Sequence, residues 1–148
     1  MAGNRLQYLN PNDWTLIKAK SVRRTFQLGE EIIKQGERQE SIFIIRRGEA
    51  SVELAATGSR AILASLGAGD ICGDIAFLES GRATATVVAK DDEVEADEIN
   101  SRELREVFEA FPRLASRFYL SLAVILAQLL KDTSRELARE MSLRDRRG

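Results

Sequence analysis

GDICGDIAFLESGRATATVVA, residues 69–89, is the stretch on which the reading of this chain turns. Apolar residues lead into Gly73-Asp74-Ile75-Ala76, Gly81-Arg82 follows, and 83–89 reads as a strand. Bare backbone, one carboxylate and one guanidinium therefore lie close together along the chain. Backbone N–H groups at a turn entering a short helix carry outward partial positive charge and can cradle an anion. An arginine adds a bidentate grip on phosphate, and a short acid accepts hydrogen bonds from sugar hydroxyls. The order implies a pocket for a phosphorylated sugar such as a nucleotide.

Outward from this stretch the pattern is strand-like. Short runs at 22–26, 31–34, 41–47, 49–54 and 61–66 precede it, and 93–99 follows, with glycines at the turns between them. Many short, regularly spaced strands imply a β-sandwich or barrel of the jelly-roll kind. Ahead of them, Asn10 and Pro11 mark a helix start, and Trp14 and Ile17 turn that helix toward the core. Behind them the period becomes helical. Ser101 is expected to cap a helix to about 110, with Leu104, Val107 and Phe108 on one side. Pro112 starts a second helix to about 140, roughly 40 Å long. Its stripe of Leu114, Phe118, Leu122, Ile125 and Leu129 is widened by Leu120, Val124 and Leu126. That arc exceeds what one sheet can cover, so a homodimer through this helix is expected. The expected fold is mainly β with helices: a jelly-roll barrel over about 20–100, an N-terminal helix and a C-terminal helix pair over about 101–140. All of 1–148 reads as one domain.

Composition narrows the function. A net charge of −1 and a pI near 5.7 supply no basic field for nucleic acid. The chain has no histidine, which removes the commonest general base and the commonest metal ligand. No P-loop, nucleophile elbow or paired-cysteine motif is present, so an enzyme is not expected. Cys72 is the only cysteine and reads as a small core residue in a reducing, cytoplasmic setting. The apolar run at 118–130 is shorter than the roughly 20 residues a bilayer requires, so no membrane span is expected. The acidic stretch 91–109 reads as a solvated surface, and Arg46, Arg47 and Arg60 as surface charges.

Three ordered segments resemble the cyclic-nucleotide-binding domain family, of the catabolite activator protein and protein kinase A regulatory subunit type. Residues 26–37, FQLGEEIIKQGE, are similar to its opening strand pair, and 42–52, IFIIRRGEASV, to its next hairpin. Residues 66–76, LGAGDICGDIA, with their continuation, look like its phosphate-binding cassette. The resemblance covers roughly 6–135 and implies an eight-stranded jelly-roll barrel with flanking helices. It implies a ligand, a 3′,5′-cyclic nucleotide with cyclic AMP as the default and cyclic GMP, CMP and UMP open, and no other cofactor. By position, the amides around Gly73, Ile75 and Ala76 would face the phosphate and Asp74 the ribose 2′-hydroxyl. Arg82 would be the phosphate arginine, with Ala83 and the Thr84 hydroxyl after it, and Tyr119 a lid or packing residue. Two positions depart from the family pattern. Asp74 stands where the family has glutamate. Gly81-Arg82 stands where it has proline then arginine, so Ala83 falls at the arginine's place. The resemblance implies a sensor that signals through its C-terminal helices, free-standing or joined to an effector lying outside this sequence. The alternative is a degenerate barrel that acts as a dimerisation or docking module without ligand.

Overall fold

Eight strands in two four-stranded antiparallel sheets make up the β part of the computed structural model, which describes residues 5–147. Helix α1 (Pro11–Ala19) opens the chain, followed by β1 (Val22–Gln27), β2 (Glu31–Ile33), β3 (Ser41–Arg47), β4 (Ala50–Ala56), β5 (Ser59–Leu66) and β6 (Ile71–Cys72). A short helix α2 (Asp74–Glu79) interrupts them before β7 (Thr86–Ala89) and β8 (Glu93–Asn100). Helices α3 (Ser101–Ala110) and α4 (Pro112–Arg147) close the fold. One sheet has the order β1-β8-β3-β6 and the other β2-β7-β4-β5. This is the expected mainly-β architecture with an N-terminal helix and C-terminal helices.

β3 shows why the sheets and helices stack in layers. Successive side chains of a strand point to opposite faces, and Ile42, Phe43, Ile44 and Ile45 are all buried. Phe43 and Ile45 enter the space between the sheets with Phe26, Leu66, Val87 and Val94. Ile42 and Ile44 face the helices, where they join Ile17, Leu104, Phe108, Leu114, Phe118 and Leu122. The β1-β8-β3-β6 sheet is thus a middle layer with apolar contacts on both sides.

Several boundaries differ from the sequence expectation. Asn100, rather than Ser101, caps α3: its side chain accepts from the Arg102 N–H, and Ser101 is already helical. β7 begins at Thr86 because 83–85 are held in a loop beside 36–39. α4 continues to Arg147, and its 36 residues extend about 54 Å. At that length it is long and apolar enough to cross a membrane by composition, which the 118–130 run alone is not. Its stripe of Leu114, Phe118, Leu122 and Ile125 is nevertheless buried in the domain's own core. The acidic stretch is not all solvated. Asp97 is 4% exposed and bonded by Arg23 at 2.7 Å and Arg46 at 2.6 Å, so Arg46 is a partner of a buried acid. Burial alone would raise the Asp97 pKa; the two guanidiniums overcome this and hold it below the usual carboxylate range.

Candidate functional site

Gly73 makes the turn from β6 into α2. Its φ is +84°, and a Cβ there would lie 2.8 Å from the Ser41 carbonyl oxygen and 3.3 Å from the Ile33 side chain. Only glycine meets both the left-handed backbone and the close approach to β3. The first intrahelical bond runs from the Phe77 N–H to the Gly73 carbonyl at 3.2 Å. The amides of Asp74, Ile75 and Ala76 therefore precede any helical acceptor, as at every helix start.

These residues open into a cavity whose opposite wall is Ala83, Thr84 and Ala85, with Val52, Leu63 and Ala64 at the side. Ile125, Leu126 and Leu129 of α4 complete its lining. Asp74 is 8% exposed and is the only charged side chain among the described lining residues. Burial pushes its carboxyl above the usual range, partly opposed by the N–H groups of Asp74 and Ile75. Cys72 lines the floor, and burial, with the charges of Asp74 and Asp70 adding to it, pushes its thiol pKa up. That makes it an inert packing residue.

The structure brings Gly73, Asp74, Ile75, Ala76, Ala83 and Thr84 to this one cavity and places Arg82 outside its lining. The reason is pairing. The Ala83 N–H donates to the Glu37 carbonyl and the Gly36 N–H to the Ala83 carbonyl, each at 2.9 Å. In such extended pairing, neighbouring side chains leave opposite faces. Ala83 is turned in and 7% exposed, while Arg82 is turned out and donates to the Gly36 carbonyl at 2.9 Å.

Tyr119 does not line the cavity. Its ring stacks on Phe77 at 6.4 Å and meets Phe108 and Phe118 edge-on at 5.4 and 5.9 Å. Phe77 also meets Phe118 edge-on at 5.9 Å, so α2 is tied by aromatic contacts to the helix that completes the cavity lining. The lining residues Gln39, Leu63, Ala64, Ile125, Leu126 and Leu129 were not legible as site residues. Ile125, Leu126 and Leu129 had one sequence signal, the wide apolar arc of the long helix, which also reads as a dimer surface.

Comparison with known proteins places the chain in a family and a fold. Residues 23–111 match the family model of the cyclic nucleotide-binding domain. The chain is 33% identical over 142 residues to cyclic GMP-binding protein C of Dictyostelium discoideum, covering 90% of this chain and 5% of that protein. It is 34% identical over 110 residues to the cAMP-dependent protein kinase regulatory subunit of Mycosarcoma maydis, covering 74% of this chain and 20% of that one. The chain thus spans a small part of each of these two relatives. A crystal structure of Thermus thermophilus catabolite activator protein superposes with a TM-score of 0.76 at 25% identity, over 90% of this chain and 61% of that chain. By the family model over residues 23–111 and a relative 33% identical across most of this sequence, the chain belongs to the cyclic nucleotide-binding domain family.

Proposed function

We propose that this chain is a sensor module that binds a 3′,5′-cyclic nucleotide in the cavity between residues 73–76 and 83–84 and signals through α4. The observation that carries this reading is the shared cavity: the first turn of α2 with the Asp74 carboxyl, Thr84, and apolar side chains of α4 line one space. The amides receive the phosphate, Asp74 accepts from the ribose hydroxyl, and Ile125, Leu126 and Leu129 cover the base. Cyclic AMP is the first candidate, with cyclic GMP, CMP and UMP as competitors. Because Phe77 packs on Phe118 and Tyr119, a ligand that favours one α2 position biases α4 with it. The barrel and helices act as one unit, which regulates an effector and catalyses nothing itself, in the cytoplasm where such nucleotides are made.

A second copy is the proposed partner of α4, in preference to nucleic acid or a membrane. Leu120, Val124, Leu129, Leu130 and Leu137 are exposed along the helix, and Ile62 and Leu63 are exposed on the edge strand β5. One observation favours the second reading, a docking module without ligand: the only cation of the cassette, Arg82, faces away from the cavity.

Melting the protein against the four cyclic nucleotides separates the readings, with Arg82→Ala and Ala83→Arg alongside. At 100 times its dissociation constant the ligand adds about 2.7 kcal/mol of stability. A shift with one nucleotide is expected. With Arg82 recruited to the phosphate, Arg82→Ala weakens binding by about tenfold. No shift in the wild type, with a shift restored by Ala83→Arg, identifies the docking module.

A further inference from the structure

Behind the cassette lies a second, larger cavity of about 500 Å³, against about 140 Å³ for the first. Ala76, Ser80 and Gly81 line it, and it shares Gln39 and Ala76 with the first cavity. Its charged lining is Arg38, Glu40, Arg102, Glu103 and Arg105, with Ser80 between them. Three arginines against two acids leave one net positive charge in the lining. Glu40 is held by Arg38 at 3.1 Å, while Glu103 sits in the first turn of α3, where an acid offsets the positive helix end. Arg102 makes no side-chain hydrogen bond or ion pair among the described residues, although its backbone N–H is taken by Asn100. Arg105 is occupied only by neutral groups. It donates to the Phe77 carbonyl and the Ser80 hydroxyl, both at 3.2 Å, and lies 4.9 Å over the Phe77 ring.

We propose that this cavity is a second binding site, for a small anion bearing phosphoryl groups, and that Arg102, Arg105 and Arg38 hold it. Planar guanidiniums suit phosphoryl oxygens bidentately. A charged acceptor also outcompetes the neutral carbonyl and hydroxyl that Arg105 now serves. Drawing Arg105 toward the anion loosens the end of α2. There Ser80 holds a left-handed backbone, φ 52° and ψ 45°, the one non-glycine positive φ among the described residues. The anion therefore changes the cassette from behind. This coupling takes its functional meaning from the nucleotide reading above, on which that part rests; occupancy of the second cavity does not depend on it.

Inorganic pyrophosphate is the probe, titrated calorimetrically at constant ionic strength with no nucleotide present. Constant ionic strength removes general screening effects. Saturable binding is expected, weakened by about tenfold or more in Arg102→Ala and partly kept in Arg102→Lys, since a lysine retains charge but not the fork. Among the described residues the Arg102 side chain makes no hydrogen bond or ion pair, so its loss is expected to leave the fold intact; unchanged melting of the variant checks this. Hydrogen exchange of residues 74–83 is expected to change on adding pyrophosphate to the wild type and not to Arg102→Ala. Absence of saturable binding, or equal binding by Arg102→Ala and by Arg38→Ala with Arg102→Ala, overturns the site. Binding without any change in exchange at 74–83 overturns the coupling. A chain that binds pyrophosphate but no cyclic nucleotide refutes the nucleotide reading and leaves the second site standing.

Discussion

Gly73 and Asp74 show how much a single position decides here. Gly73→Ala places a methyl against the Ser41 carbonyl in a left-handed backbone, and is expected to destabilise the fold by about 2 kcal/mol or more, read by denaturant melting. Asp74 carries a pH signature. Its folded pKa is raised by burial, so the cost of its charge is absent below the ordinary value of 3.8 and grows as pH rises through the folded value. Asp74→Asn should therefore raise the melting temperature at pH 7 by a few degrees and have no such effect near pH 3.5. The same variant should bind nucleotide more weakly, because the amide no longer offers a charged acceptor to the ribose. Both residues were legible in the sequence because their roles are local: a turn that needs glycine and an acid at a helix start. The opposite facing of Arg82 and Ala83 was not. It is set by pairing with the 36–37 segment, 46 residues away at Gly36, which no local pattern encodes.

Helix α1 is fastened to α4 by one ion pair. Asp13 is 3% exposed, closes the α1 capping box with Asn10, and accepts two bonds from Arg117 at 2.6 and 2.8 Å. The Arg117 hydrogen bond chiefly lowers the Asp13 pKa, against the opposing effect of burial. Arg117→Met leaves a buried acid without its partner and is expected to destabilise by about 2–3 kcal/mol. A lowered pKa makes the pair's stabilisation present above pH 3.8 and lost as pH falls through the folded value. The gap between wild type and Arg117→Met should therefore close in acid, a trend that thermal melts across pH 2–7 would follow. Asn10 and Pro11 announced α1, and 41–47 announced β3, because a cap and a short continuous apolar run are local signals. The two-residue β6 and the Asp13–Arg117 pair were invisible. One is too short for a period, and the other joins residues 104 apart.

At the scale of the molecule, the layered jelly-roll followed from strand spacing and from three family-like segments, whereas the proposed dimer rests on the unburied side of α4. From 131 to 147 every described residue of that helix is exposed, Leu137, Met141 and Leu143 among them. Pairing of α4 with a second copy would cover these side chains. Sedimentation should then give a dimer that Leu130→Glu with Leu137→Glu converts to monomer, while a wild-type monomer at micromolar concentration would remove the dimer from the mechanism. Whether the sheets, the glycine turn and the α4 lid together form a working sensor is decided most directly by following backbone amide resonances during titration with cyclic AMP and cyclic GMP. Saturable shifts are predicted at residues 73–76 and 83–84, with weaker ones at Ile125, Leu126 and Leu129. A spectrum unchanged by these two, and by cyclic CMP and cyclic UMP titrated likewise to millimolar concentration, would contradict nucleotide sensing by this chain.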